Sequence, residues 1–213
     1  MPATNLPRIS NEALRQLQRE TQMQLRMYLP DPEVWVIDGF LSDAEADALV
    51  AKYKKRTSVM GYVGSDGEVV VTDKRKAMGL HLDPDDELDI VINDRFEQLT
   101  LWSKYKTEPT SFVHYNKGGY ILPHFDFLGK GQHKGASGQR VGTGVVYLND
   151  TEGEGDTYFT HNGLRVYPKK GSLLFFNYTD DHTTSTSKHG SREVVDDEKF
   201  VLVKWFREGF NFE

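Results

Sequence analysis

The second half of the chain alternates between short β-rich runs and turns, and this pattern restricts the fold more than any other feature. From Thr110 onward, runs rich in Val, Phe, Tyr and Thr are separated by segments that contain Gly, Asn and Asp. Several short strands at this spacing are typical of a sandwich or barrel. The predicted strands are Ser111–Tyr115, Tyr120–Phe127, Arg140–Leu148, Thr157–Phe159, Leu164–Tyr167, Ser172–Tyr178 and Lys199–Phe206.

Helical signals cluster in the first half of the chain, around one predicted strand at Trp35–Phe40. Apolar residues recur among polar ones in 11–28, which predicts an amphipathic helix there. Ser42 with Glu45 three residues later forms a capping box. Asp83 before Pro84 predicts the start of another helix. Helices first and strands later predict an α+β fold in which the helices cover one sheet.

The chain contains no internal repeat, low-complexity tract or convincing linker. Neither the helical first half nor the β-rich second half looks able to close a hydrophobic core alone, so we do not place a domain boundary at Thr110. The 213 residues are enough to bury a sizeable core. We therefore predict a single domain over 1–213, in which residues 1–109 give helical and strand support to a core formed by 110–208.

Composition excludes several classes of protein and site. The chain has no cysteine, which excludes disulfides, thiolate nucleophiles, iron–sulfur clusters and zinc–thiolate sites. The formal net charge of -6 argues against a nucleic-acid partner. The first thirty residues are polar and no stretch has transmembrane length, so we expect no membrane partner and a cytoplasmic protein.

The strongest chemical motif is His124-Phe125-Asp126, an H-x-D on a predicted strand. Side chains two residues apart on a strand point to the same face, so one ion can bridge the imidazole and the carboxylate. A second imidazole from another strand would complete a triad of two histidines and one carboxylate, as in non-haem Fe(II) oxygenases. Taken alone, the H-x-D is also a common chance pattern.

Two histidines can supply the third ligand, because His182 and His189 both lie in the polar segment before the last predicted strand. Local spacing leaves that choice open. Lys199 opens the last strand on the same face as Val201 and Val203. A lysine that faces a protein interior is costly unless an anion pairs with it, which an anionic cosubstrate would do. The alternative is that Lys199 begins the strand in solvent.

Seven segments resemble the prolyl 4-hydroxylase family in order and spacing, over about Trp35 to Glu208. The first carries the H-x-D, and the last two reproduce the family's spacing from its final histidine to its lysine. These segments are 113–127, 139–143, 147–150, 155–159, 168–177, His189 with Lys199 ten residues later, and 204–208.

The resemblance implies a double-stranded β-helix, or jelly-roll, core with N-terminal helices packed on its major sheet. It also implies chemistry in which Fe(II), dioxygen and 2-oxoglutarate give succinate, carbon dioxide and a hydroxylated product, with ascorbate expected as reductant. His124, Asp126 and His189 match the iron ligands. Lys199 matches the residue that pairs with the distal carboxylate of 2-oxoglutarate.

Further matches concern the cosubstrate and the substrate. Tyr115 and Thr157 match positions that can hydrogen-bond the distal carboxylate, and Trp205 lines the same region. Residues 61–75 match a mobile loop that folds over the peptide, so Tyr62 and Arg75 become candidate substrate contacts; the alternative is a plain hairpin around 65–67. Arg140 also matches a family position, although it could be only a charge at a strand end.

Three hypotheses for function follow. The first is a prolyl 4-hydroxylase, a procollagen-proline 4-dioxygenase-like enzyme that acts on a peptide or protein. The second keeps the iron chemistry but hydroxylates another amino-acid side chain or a small molecule; departures from the family at 76–78 and 190–194 motivate it. The third is a catalytically silent jelly-roll binding module, which would form no succinate.

Overall fold

The computed structural model describes residues 6–60, 73–129, 135–178, 184–195 and 197–211, together with the backbone of 62–63 and 69–70. Within these residues, three α-helices lie in the first half: α1 Asn11–Glu20, α2 Asp43–Tyr53 and α3 Glu87–Thr100. Single 3-10 turns occupy Lys54–Arg56 and Lys104–Lys106. None of the helices in this described part is long and apolar enough to cross a membrane.

Strands are numbered in chain order through the described part of the chain. Seven of them precede Thr110: β1 Gln24–Pro30, β2 Glu33–Asp38, β3 Ser58–Val59, β4 Tyr62–Val63, β5 Val69–Val70, β6 Arg75–Lys76 and β7 Met78–His81. Eight follow it: β8 Ser111–Tyr115, β9 Tyr120–His124, β10 Arg140–Tyr147, β11 Thr157–Phe159, β12 Arg165–Val166, β13 Leu173–Asn177, β14 His189–Ser191 and β15 Lys199–Arg207.

Two antiparallel sheets form the body of the protein. The eight-stranded major sheet has the order β1-β2-β13-β10-β15-β8-β7-β3, and the five-stranded minor sheet has the order β12-β11-β14-β9-β6. Strands β8 to β15 contribute four neighbouring strands to each sheet, which is a double-stranded β-helix. The fold is therefore α+β, as the order of helices and strands predicted, with the jelly-roll core that the family resemblance implies.

One hydrophobic cluster lies between the two sheets. It joins Val145 and Phe176 of the major sheet to Phe159 and Val166 of the minor sheet. The rings of Phe159 and Phe176 meet edge to face with centroids 5.1 Å apart. This packing holds the minor sheet against the major sheet, and both sheets contribute residues to the candidate site.

A second cluster lies on the other face of the major sheet and contains side chains from all three helices. Phe96 of α3 is 2% exposed, and its ring centroid lies 4.7 Å from that of Phe40 and 5.5 Å from that of Phe206 on β15. Alternate residues of the central strands thus face different clusters, Val145 and Val146 among them.

Two local predictions were wrong. The predicted helix over 11–28 ends at Glu20, and Gln24–Pro30 is an edge strand that pairs with β2, because six register pairs with a buried strand outweigh a weak helical pattern. Helix α3 starts later than Asp83-Pro84 predicts: Asp86 is the N-cap, and its side chain accepts a hydrogen bond from the backbone of Leu88 at 2.8 Å.

The capping box predicted at Ser42 is confirmed. The Ser42 hydroxyl accepts from the backbone of Glu45, and the Glu45 carboxylate accepts from the backbone of Ser42. The segment 61–75 contains β4 and β5, which pair as a short antiparallel ribbon, and it ends at the first residue of β6, which pairs with β9. The turn between β4 and β5 lies outside the described residues, and the lid role stays a prediction.

Candidate metal centre and adjoining pocket

His124, Asp126 and His189 converge, and each offers one ligand atom within 4.8 Å of the others. His124 ends β9 and pairs in register with His189, the first residue of β14. Asp126 lies just beyond the end of β9, where one of its oxygens is 3.3 Å from Nε2 of His124 and the other is 3.6 Å from Nε2 of His189. Of the two candidate histidines, His189 is thus beside the H-x-D, whereas His182 lies outside the described residues.

Backbone carbonyls fix the tautomer and the ring orientation of the two imidazoles. Nδ1 of His124 lies 3.0 Å from the carbonyl of Leu122, and Nδ1 of His189 lies 2.9 Å from that of Ser187. A carbonyl only accepts, so Nδ1 carries the proton in both rings and Nε2 of the neutral ring keeps its lone pair. Both Nε2 atoms face Asp126, and a carbonyl bound at Nδ1 is typical of histidines that ligate metals.

The electrostatics of the three groups favour a bound cation. Burial lowers the pKa of His189 to about 4, so its imidazole is neutral near pH 7. Burial alone would raise the pKa of Asp126, but the charge of His189 and the hydrogen bond and charge of His124 lower it. Burial alone would lower the pKa of His124, but the hydrogen bond and charge of Asp126 raise it. An ionised carboxylate and neutral imidazoles are the donor set that Fe(II) accepts, so the residues fit the metal that the family resemblance implies.

Two residues that sequence reasoning missed support Asp126. Thr143 on β10 donates its hydroxyl to Oδ2 of Asp126 at 2.7 Å, and the Tyr178 hydroxyl is hydrogen-bonded to Thr143 in turn. Thr143 lies in a run that the family resemblance covers, but its role required knowing that β10 crosses behind Asp126. The Tyr178 contact depends on the end of β13 and has no local signal in the sequence.

Lys199 occupies the other end of the same pocket and is 1% exposed. Its Nζ donates to the carbonyl of Gly155 at 2.6 Å and to the hydroxyl of Ser191 at 2.8 Å. Burial lowers the pKa of Lys199 to about 7. Among the described residues, no carboxylate lies within ion-pair distance of this ammonium. The carboxylate of a bound ligand could therefore form an ion pair with Lys199.

Tyr115 and Thr157 line the same pocket as Lys199. Tyr115 pairs in register with Lys199, and the ammonium lies 4.9 Å from the centre of its ring. Burial raises the pKa of Tyr115 to about 12, so its phenol is a neutral hydrogen-bond donor. Thr157 accepts a hydrogen bond from the Tyr147 hydroxyl at 2.8 Å. Ser191, which the sequence analysis missed, is two residues after His189 and also lines the pocket.

The predicted substrate contacts fall into three groups. Arg75 and Trp205 line the pocket, and the Nε atom of Arg75 and the indole Nε1 of Trp205 are buried without a hydrogen-bond partner among the described residues. Arg140 instead forms a two-bond ion pair with Glu108, at 2.7 and 2.6 Å, and stacks 4.0 Å from the centre of the Trp205 ring. The side chain of Tyr62 lies outside the described residues.

Comparisons with known proteins agree with this geometry. The sequence model of the 2OG-Fe(II) oxygenase superfamily matches residues 110–207. A probable prolyl 4-hydroxylase 7 of Arabidopsis thaliana is 32% identical over 84% of this chain and 66% of its own length, and a probable prolyl 4-hydroxylase 6 of the same plant is 30% identical over 82% and 68%. The chain thus spans about two thirds of the length of these relatives.

A solved structure extends the likeness to the fold. The crystal structure of a viral collagen prolyl hydroxylase from Paramecium bursaria Chlorella virus-1, a complex with 2OG, superposes with a TM-score of 0.63 at 25% identity and covers 82% of this chain and 95% of the viral one. Sequence likeness through the jelly-roll core, agreement of the fold over 82% of the chain and the converging histidines and aspartate lead to one conclusion: the chain belongs to the prolyl 4-hydroxylase family of 2OG-Fe(II) oxygenases.

Proposed function

We propose that this protein is an Fe(II)- and 2-oxoglutarate-dependent dioxygenase that hydroxylates proline in a peptide or protein. The observation that carries the proposal is one pocket with a two-histidine, one-carboxylate cluster at one end and a buried lysine at the other. The names of the plant and viral relatives support proline as the target.

In this proposal His124, Asp126 and His189 hold the metal, and Thr143 orients the carboxylate of Asp126. When bound, Fe(II) with 2-oxoglutarate supplies the dioxygen-activating chemistry that yields succinate and carbon dioxide. Three protein ligands leave the remaining coordination positions for small molecules. Ascorbate is the reductant that we expect to keep the metal ferrous.

Lys199, Tyr115 and Thr157 bind the distal carboxylate of the cosubstrate. Charge-assisted hydrogen bonds to an ammonium are strong where water is excluded, and Lys199 is almost fully buried. The phenol of Tyr115 adds a neutral donor that does not repel the anion. Together these side chains would hold the cosubstrate with its other end toward the metal, which orients it for reaction.

Arg75 and Trp205 are the proposed contacts to the peptide. Each has a buried N–H group without a partner among the described residues, and a substrate carbonyl would satisfy it. Arg140 acts through Trp205, because its own guanidinium is paired with Glu108. Tyr62 stays a sequence-based prediction.

We also infer that residues 1–213 act as a single domain, with the N-terminal helices backing the major sheet. The contacts of Phe96 with Phe40 and Phe206 support this, since they join two segments of the first half to the last strand. Residues of the first half also form strands in both sheets.

Mass spectrometry of proline-containing peptides tests the proposed function. The protein is incubated with Fe(II), ascorbate and 2-oxoglutarate, with His124→Ala as the matched control. We expect succinate and a peptide heavier by one oxygen atom on proline, both absent from the control. Succinate without hydroxyproline would favour another side chain or a small molecule as substrate, and no succinate above the control would favour the silent binding module.

A further inference from the structure

A buried carboxylate lies beside the lysine end of the pocket. Asp156 is 0% exposed and sits between Gly155, whose carbonyl accepts from Lys199, and Thr157, which lines the pocket. The charge of Asp156 acts on Lys199 and opposes the effect of burial on the pKa of that lysine. A free negative charge in this position would compete with an anionic cosubstrate for the same ammonium.

Arg165 binds both oxygens of that carboxylate. Nε and Nη2 of Arg165 donate to Oδ2 and Oδ1 of Asp156, each at 2.8 Å, which is the two-bond geometry that arginine makes best. The backbone N–H of Arg192 holds the carbonyl of Asp156 at 3.0 Å, and the Arg192 side chain is a looser neighbour, with Nε at 3.9 Å. Lys199 donates to the carbonyl of Gly155 and to Ser191, and to neither oxygen of Asp156.

We propose that Arg165 is a positioning residue for the cosubstrate site, because it holds and neutralises Asp156 and so leaves the Lys199 ammonium available to the distal carboxylate of 2-oxoglutarate. This inference rests on the proposed function. The side chain of Arg165 is 37% exposed, lies on the edge strand β12 and does not line the pocket, so it acts only through Asp156.

A purely structural role makes different predictions, because the ion pair also ties the start of β11 to β12. If Arg165 only stabilises those strands, its loss lowers the melting temperature and leaves the affinity for 2-oxoglutarate alone. If it restrains a charge, its loss weakens cosubstrate binding, and removing the charge of Asp156 as well restores it. The double substitution therefore separates the two roles.

The experiment measures 2-oxoglutarate binding to the Mn²⁺-loaded protein by isothermal titration calorimetry, together with KM and kcat for succinate formation. We expect Arg165→Ala to weaken binding and raise KM by about tenfold with little change in kcat. Arg165→Lys should keep most of the affinity. The double variant D156N/R165A should return to within about threefold of wild type. Arg95→Ala, which breaks the equally two-bonded pair with Glu45, is the matched control and should not change binding.

Asp156→Asn provides a second test of the inference if Arg165→Ala fails to fold. It keeps the shape of the side chain and leaves a positive Arg165 nearby, so we expect binding equal to or tighter than wild type. The inference is overturned if Arg165→Ala binds as wild type does, if the double variant stays as weak as the single one, or if Asp156→Asn binds about tenfold more weakly. Wild-type protein that does not bind 2-oxoglutarate at all would overturn the proposed function itself.

Discussion

The two faces of strand β15 show how one strand can serve chemistry on one side and stability on the other. Lys199, Val201, Val203 and Trp205 line the pocket between the sheets. Phe200, Leu202 and Phe206 belong to the cluster that contains the helices. Because side chains alternate along a strand, consecutive residues of β15 lie in different environments, one in the pocket and the next in the helix-side cluster.

Each face also buries a lysine, and the difference between the two is instructive. Lys204 is 3% exposed on the helix side and donates to the Thr110 hydroxyl at 3.1 Å. Burial lowers its pKa to about 8, against the charges of Asp89 and Glu108. Lys199 faces an open pocket, and its acidic neighbour Asp156 is already paired with Arg165. A buried lysine therefore indicates an anion site only where a cavity adjoins it.

The largest effect should come from the metal end of the pocket face. His189→Ala removes one of three ligands, so we expect retained metal and succinate formation to fall to background while the fold persists. Metal content after dialysis and the thermal melt measure this. His182→Ala is the control and should keep both metal and turnover; the reverse result would show that His182, and not His189, is the metal ligand.

The next largest effect should be a loss of stability on the helix side of the major sheet. Phe96→Ala removes a ring packed against Phe40 and Phe206, so the free energy of unfolding should fall by about 3–5 kcal/mol. Urea denaturation measures this loss. Val91→Ala on the same helix, where the side chain is 36% exposed, should cost far less. If the folded Phe96→Ala protein binds 2-oxoglutarate more weakly than wild type, the helix side of the sheet also controls the pocket, which would contradict the separation of the two faces.

Much of the fold could be predicted because strong local signals agree with tertiary packing. The capping box at Ser42 and the strands β8 and β11 lie where the sequence predicts them. Edge strand β1 was missed because its apolar residues fit a helical spacing about as well as an alternating one. Strand β14 was missed because His189-Gly-Ser191 carries no β-rich pattern, and its pairing partners are distant in sequence.

The site was predictable only in part, for a similar reason. Residues with distinctive chemistry, such as Lys199, stand out in a sequence or in a family resemblance. Supporting residues such as Thr143, Tyr178 and Ser191 are ordinary polar side chains whose roles follow from strand crossings. The pairing of Arg140 with Glu108 could not be predicted, because the two residues are 32 positions apart and no local pattern links them.

The comparison between the two lysines becomes a direct test when each loses its charge. Lys199→Ala should weaken 2-oxoglutarate binding by roughly 2–3 kcal/mol, the scale of a charged hydrogen bond. Lys204→Met removes a charge from the other face of the same strand and should leave that binding unchanged. Calorimetry on Mn²⁺-loaded protein measures both. An equal loss in the two variants would mean that the strand as a whole, and not the pocket-facing ammonium, controls affinity.

The smallest expected effect is a pH dependence specific to the pocket face. The pKa of Lys199 is lowered to about 7 by burial, so above that pH the free protein carries a neutral amine that must take up a proton before it can pair with a carboxylate. Affinity for 2-oxoglutarate should therefore fall by up to about tenfold per pH unit above pH 7, with nearly one proton taken up per ligand at pH 8 and almost none at pH 6.

Calorimetry in two buffers of different ionisation enthalpy counts these protons. Lys204→Met should keep the uptake and Lys199→Met should lose it, because only the pocket-facing amine meets the anion; uptake that survives in Lys199→Met would assign the proton to another group.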